Sequence, residues 1–279
     1  MRAALVQLCS GDDPKANLPV TAELIERAAG DGAGFILTPE VTNCVSASRT
    51  RQNDVLQHEN EDLTLAALRE LAARLGVWLS IGSLALKTDD PDGRFANRSF
   101  MIGPDGGIHA RYDKIHMFDV QVSETETYRE SAGYRPGKRA VVTDLPFARI
   151  GMSICYDVRF PYLYRALAHA GAQILIVPSA FCPVTGAAHW EPLLRARAIE
   201  NGAFVIAAAQ TGAHSATRGK QRSTFGHSLA IAPWGEVLAD AGEAPGVTLV
   251  DLDLGAVEQA RKRVPSLTHD REFETPDGR

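Results

Sequence analysis

No apolar run in this sequence approaches the length a bilayer requires; Ile174–Pro178 and Phe204–Ala209 are far too short to span one. Basic charge is not in excess. Lys plus Arg total 29 against 34 for Asp plus Glu, and the resulting charge of −5 disfavours counterion-driven binding to nucleic acid. Cysteine is scarce and scattered: Cys9, Cys44, Cys155 and Cys182 form no Cys-x-x-Cys pair, so neither a disulfide framework nor a zinc knuckle is expected. A phosphate-binding Gly-x-x-x-x-Gly-Lys-Ser/Thr loop is missing. The cluster Gly30-Asp31-Gly32-Ala33-Gly34 lacks dinucleotide spacing and precedes a strand instead of opening a helix. There is no His-Glu-x-x-His, and the eight histidines show no paired helical spacing. The expectation is therefore a chain with no cofactor and no metal, and with no nucleic acid and no membrane as partner.

What is present suits a folded α/β chain. Hydrophobic residues make up 45% and charged residues 23% of 279, enough for one sizeable core. The start of the sequence, Arg2 to Cys9, reads as a buried first strand and not as a signal peptide, and with the unpaired cysteines this favours the cytoplasm. Asp13-Pro14 caps a helix carrying Leu18, Ala22, Ile25 and Ala29 at helical spacing. Gly34–Thr38 is a strand that delivers Pro39-Glu40 at its end. A second helix spans 62–75 and a strand 77–87, followed by a hairpin, 98–103 and 108–112, that turns at Pro104-Asp105-Gly106-Gly107. The stretch 113–138 has no clean period, and loops of that length are usually functional. Strands near 140–144, 148–154, 173–178 and 203–209 alternate with helices at 161–170 and 189–201. A hairpin at 227–240, a strand at 247–253 and a helix at 255–263 finish the core. The alternation predicts a mixed α/β sheet architecture in one domain, residues 1–264, with a polar tail, 265–279.

Four titratable residues stand at strand ends or in the long loop. Cys155 lies between a buried strand and a helix start, where the helix N-terminus stabilises a thiolate and backbone N–H groups can hold an oxyanion. Glu40 can accept a thiol proton, Lys114 can supply positive charge, and Glu130 lies in Tyr128-Arg129-Glu130-Ser131. Taken singly, each has a simpler reading that is the better one: a buried structural thiol, an exposed loop carboxylate, a solvated lysine and a solvent-facing acid.

Their order and flanking residues together say more. Thr38-Pro39-Glu40, Tyr112-Asp113-Lys114-Ile115-His116 and Ile154-Cys155-Tyr156-Asp157-Val158-Arg159-Phe160-Pro161 make the chain resemble the nitrilase superfamily of carbon–nitrogen hydrolases from residue 1 to about 272. Thr38 departs from the Phe usual there, which leaves the acid itself untouched. The resemblance implies a four-layer αββα sandwich of two mixed sheets, pairing into an αββα-αββα homodimer or a higher homo-oligomer. It implies a Glu-Lys-Cys triad at Glu40, Lys114 and Cys155, with Glu130 as a second glutamate. It also implies a thioester on Cys155, with Glu40 serving as base, acid and base again, a cycle expected to need a carboxyl pKa lifted towards neutrality by burial and opposed by nearby Lys114.

Pro178–Phe181, Thr185–Glu191, Leu194–Glu200, Ala207–Gly212 and Phe225–Ser228 resemble the Nit-type amidases. One branch of these hydrolyses deaminated glutathione to alpha-ketoglutarate and cysteinylglycine; another is the omega-amidase branch, acting on alpha-ketoglutaramate. Leu194–Glu200 with Ala207–Gly212 looks more like the first. The substrate implied is a small acidic amide. A backbone N–H near Tyr156 is a candidate oxyanion donor, Tyr156 is a candidate to bind substrate, and Phe181 and Thr185 are candidates to border the site. His189 and Trp190 either shape the pocket or pack a helix face. Arg159, Arg195 and Arg197 either hold a substrate carboxylate or pair with Asp157, Glu191 or Glu200. Two other readings stay open: a nitrilase or N-carbamoyl amino-acid hydrolase sharing the triad, and an idle relative serving as a scaffold.

Overall fold

The computed structural model describes residues 1–122, 124 and 126–276. Positions 123 and 125 of the long loop and 277–279 of the expected tail lie outside the described residues. In chain order the elements are β1 (Arg2–Gln7), α1 (Pro14–Gly30), β2 (Phe35–Leu37), α2 (Arg49–Val55), α3 (Leu63–Leu75), β3 (Trp78–Leu86), β4 (Ala96–Ile102) and β5 (Ile108–Asp113). A small ribbon, β6 (Asp119–Gln121) and β7 (Thr127–Arg129), leads to β8 (Val141–Asp144), β9 (Arg149–Met152), α4 (Pro161–His169), β10 (Ile174–Ile176), α5 (Pro183–Asn201) and β11 (Phe204–Ala207). A second ribbon, β12 (Thr211–Ala213) and β13 (Ser223–Phe225), precedes β14 (Leu229–Ile231), β15 (Val237–Asp240), β16 (Gly246–Asp251) and α6 (Gly255–Arg263).

Two six-stranded sheets share one topology. The first runs β16-β1-β2-β3-β4-β5 and the second β15-β14-β11-β10-β9-β8. In each, three parallel strands are flanked by antiparallel ones: β1, β2 and β3 in the first, β9, β10 and β11 in the second. Strand alternation sorts the side chains into layers. Ala3, Leu5, Phe35, Leu37 and Met101 share a buried cluster with Ile150, Met152, Ile174 and Ile176 of the other sheet. The residues between them, Ala4, Val6 and Ile36, pack outward with Ile25 and Ala28 of α1 and Leu65, Leu68 and Leu71 of α3. With α4 and α5 on the second sheet's outer face, the layers are helix, sheet, sheet, helix: the four-layer α/β sandwich.

Several elements differ from the sequence expectation. Helix α5 begins at Pro183, six residues before 189. Pro183 sits at the first helical position, where its missing N–H costs nothing, and Gly186 allows the helix to lie against Phe225, whose ring atom Cγ stands 2.4 Å from where a Cβ would be. Helix α2, capped by the Ser48 side chain, carries no apolar period and was not anticipated. The long loop is partly regular: it closes the β6–β7 ribbon and then a 3₁₀ turn at Glu130–Ala132. Past α6 the chain stays on the body through Asp270, whose carboxylate bonds Arg165 and His169 of α4.

The parallel strands of both sheets release their chains on one side, where ligand sites of α/β sheets form. Gly82 is the closest approach there. A Cβ on it would stand 2.0 Å from Thr38 O and 2.5 Å from both Pro39 O and Pro178 Cβ, joining β3, the Glu40 turn and the loop after β10. Gly82→Ala should lower unfolding stability by about 1–3 kcal/mol, the cost of overpacking a close-packed contact. Urea denaturation reads this directly, and an unchanged midpoint would show that the backbone yields freely here.

Candidate active site

Glu40, Lys114 and Cys155 reach one place by three routes. Glu40 follows β2 in a turn pinned by side chains: Thr38 Oγ1 accepts from Gly82 N at 3.1 Å, and Thr42 Oγ1 donates to Pro39 O at 2.7 Å and to Thr38 Oγ1 at 2.9 Å. Lys114 follows β5, its N–H bonded to Asn97 O at 3.0 Å and its carbonyl accepting from Gly137 N at 2.7 Å. Cys155 follows β9 with φ +50°, an uncommon conformation for a residue with a side chain, and its N–H donates to Pro178 O at 2.9 Å. Buried Asp157 holds this elbow to the Lys114 segment. Its carboxylate accepts from Ile154 N at 2.9 Å, Tyr112 OH at 2.6 Å and His116 N at 3.0 Å.

The Lys114 ammonium lies 2.8 Å from Glu40 Oε1 and 2.9 Å from the Glu130 carboxylate. Glu40 is further bound by Asn97 Nδ2 at 2.8 Å and by Ala180 N–H at 2.8 Å, while Phe118 N–H donates to Glu130 at 2.6 Å. Lys114 and Glu40 are 2% and 4% exposed, so this charge cluster lies outside bulk solvent screening. All four residues line one cavity of about 1130 Å³, together with Asn97, Tyr156, Ala180 and Phe181.

Electrostatics set the resting protonation. Burial opposes ionisation of Glu40, but Lys114, with hydrogen bonds from Cys155 and Asn97, outweighs it and holds the carboxyl below its ordinary value. The expected lift towards neutrality is thus reversed in the free site. Burial also opposes the charge on Lys114, yet Glu130, Glu40 and Cys155 hold its pKa well above the ordinary lysine value. Burial and then the Glu40 anion push the Cys155 thiol up, with Lys114 opposing. The resting arrangement is a neutral thiol beside a carboxylate and an ammonium: a nucleophile, a base able to receive its proton, and a cation.

The other sequence candidates separate. Tyr156 and Phe181 line the cavity; Arg159, Thr185 and His189 are not among its lining residues. The Arg159 guanidinium lies 5.8 Å from the Tyr156 ring centre and 5.5 Å from that of Phe181, and 3.3 Å from His189 Nδ1. Arg197 pairs with Glu200 and donates to Val158 O, and Arg195 pairs with Glu191 at 3.3 Å, the structural alternatives for both. Asn97, Ala180 N–H, Gln52 and Tyr134 were not found from sequence. Asn97 alone had a signal, a polar side chain on a strand whose neighbours are buried.

The α-β-β-α sandwich and this site carry the marks of an enzyme class. Residues 2–262 match the Carbon-nitrogen hydrolase family, and the chain belongs to it. Among its relatives is the deaminated glutathione amidase of Yersinia enterocolitica, 39% identical over 96% of this chain and 92% of that one. The solved structure of Saccharomyces cerevisiae Nit3, a member of branch 10 of the nitrilase superfamily, superposes with a TM-score of 0.85 at 30% identity over 98% of this chain and 97% of that one. The Caenorhabditis elegans NitFhit protein superposes at 0.89 with 36% identity over 97% of this chain; the present chain spans only 65% of that longer protein.

A depressed carboxyl pKa stabilises the fold where the group is ionised. The Glu40 contribution is therefore present above the ordinary value of 4.5 and is lost as pH falls through its lower folded value. Glu40→Gln should cost about 2 kcal/mol at pH 7, less than the roughly 3–5 kcal/mol of a fully stripped buried pair because Glu130 remains on Lys114. Urea titrations at several pH values should show the gap between wild type and variant closing below pH 4.5. A gap that widens on acidification would mean that burial wins and Glu40 is protonated.

Proposed function

We propose that the chain is a thiol amidase that hydrolyses the amide bond of deaminated glutathione, with Cys155 as nucleophile. The observation that carries this reading is the meeting of the Cys155 thiol with the Lys114-paired Glu40 carboxylate at the wall of one cavity. The named activity of the 39%-identical Yersinia relative supplies the substrate.

In this mechanism Glu40 takes the thiol proton as Sγ attacks the amide carbonyl carbon. Lys114 Nζ and the Tyr156 N–H stabilise the oxyanion, each preorganised donor contributing roughly 3–4 kcal/mol. Glu40 returns the proton to the leaving nitrogen, the C–N bond breaks and cysteinylglycine departs. A thioester remains on Cys155. Glu40 then takes a proton from water, hydroxide adds to the thioester carbonyl, and collapse releases alpha-ketoglutarate while the proton returns to sulfur. Because Glu40 starts ionised, it begins the cycle as a base without prior deprotonation. Glu130 and Asn97 keep Lys114 and Glu40 in register through each transfer. Pairing into a homodimer and residence in the cytoplasm belong to the same reading; the four cysteines are free thiols, as a reducing compartment keeps them.

Cys155→Ala should abolish release of alpha-ketoglutarate from deaminated glutathione while circular dichroism stays that of wild type. Mass spectrometry of wild-type protein quenched within the first turnover should show the acyl group on Cys155. Turnover that survives in the alanine variant would remove Cys155 from its role. A kcat/KM for alpha-ketoglutaramate well above that for deaminated glutathione would move the enzyme to the omega-amidase branch.

A further inference from the structure

The cavity wall holds a cation with no ion-pair partner among the described residues. Arg222 lines it, and its buried Nε has no hydrogen-bond partner. Among the described residues Arg222 makes no ion pair, whereas Arg218 in the same loop pairs with Asp54 at 3.6 Å. Three carboxylates of the wall are engaged elsewhere: Glu40 and Glu130 by Lys114, and Glu126 by the Tyr128 hydroxyl. Arg49, on the same wall, is spent structurally, donating to Gly133 O and Gly93 O at 2.6 Å each and stacking on Phe95.

The backbone under Arg222 is fixed. Its carbonyl accepts from His214 N at 2.9 Å at the base of the β12–β13 ribbon. His214 bonds Ser10 O and Thr224 Oγ1, both at 2.8 Å, and Asp12 accepts from Thr217 N at 2.7 Å. The side chain faces the interior. Burial raises the Cys44 thiol and the Tyr128 and Tyr134 hydroxyls, and the Arg222 charge opposes that rise in all three. Tyr134 OH, which accepts from Gln52 Nε2 at 2.7 Å, lines the same cavity and also feels the Glu40 and Glu130 charges.

A half-buried guanidinium on the cavity wall, with its Nε buried and unbonded, is a receptor for a planar anion. We propose that Arg222 anchors a substrate carboxylate in this cavity and thereby selects acidic amides over neutral ones. The inference rests on the amidase reading. Deaminated glutathione offers that carboxylate from two sources, the keto-acid end of its acyl part and the glycine end of its leaving part.

Three probes separate the cases: glutaramate, acidic on the acyl side; N-pentanoylglycine, acidic on the leaving side; and pentanamide, acidic on neither. In Arg222→Gln the ratio of kcat/KM for an acidic probe to that for pentanamide should fall at least about tenfold, mainly through KM, as loss of a charge-assisted hydrogen bond requires. Arg222→Lys should recover part of the ratio. A fall confined to glutaramate assigns Arg222 to the acyl end, and one confined to N-pentanoylglycine assigns it to the leaving end. Ratios unchanged for both acidic probes would overturn the subsite and leave the amidase standing. Wild-type protein idle on all three probes and on deaminated glutathione would overturn both.

Discussion

A buried ammonium shared between two carboxylates imposes more on this molecule than any other interaction. Taking Lys114, Glu40 and Glu130 out of water is expensive, and their attraction offsets the cost only where the geometry is good and the remaining hydrogen-bonding positions are filled. Both conditions are met. Asn97 and Ala180 N–H complete Glu40, and Phe118 N–H completes Glu130. These donors come from strand β4, from the loop after β10 and from the segment after β5. The cluster can therefore form only when both sheets face each other with their carboxyl ends on one side. Gly82, with no room for a methyl group, marks how closely those ends must approach.

The same charges determine the chemistry. One cation beside two anions keeps Glu40 ionised at rest, and the Glu40 anion with burial keeps the thiol neutral. In the proposed mechanism, proton transfer from sulfur to carboxylate is thus left to the moment of attack, when Lys114 would face growing negative charge on the substrate oxygen. The left-handed turn at Cys155 presents the sulfur, and Asp157 ties that turn to Tyr112 and His116 on either side of Lys114. The Cys155 thiol and the Lys114 ammonium are consequently mounted on one hydrogen-bonded frame, and Tyr134 and Arg222 line the same cavity.

Much of this was legible in the residues, for identifiable reasons. The strands are short apolar runs ended by Gly, Pro or charge, and Glu40, Lys114 and Cys155 fall just past three of them within recognisable flanks. Hairpin and helix caps such as Asp13-Pro14 and Pro104–Gly107 announced themselves by turn chemistry. The start of α5 did not, because Val184, Thr185 and Gly186 are poor helix formers and the helix there depends on packing against Phe225. Asn97 and Ala180 N–H escaped because one belongs to a strand interior and the other is main chain. The opposition of Lys114 to burial at Glu40 was foreseeable from the motifs, but its winning was not, because the added hydrogen bonds of Asn97 and Cys155 to that carboxylate leave no pattern in the sequence. Arg222 carries no local signal at all, since its meaning comes from the lack of an ion-pair partner among the described residues.

The central claim is that Glu40 and Lys114 work as one unit upon Cys155. A double-mutant cycle on the rate of Cys155 acylation, followed by quenched-flow mass spectrometry in Glu40→Gln, Lys114→Met and the double variant, tests it most directly. Members of a unit are grossly non-additive, so the double variant should lie within about tenfold of the slower single variant. Penalties that multiply in full would show two independent contributors and contradict the claim.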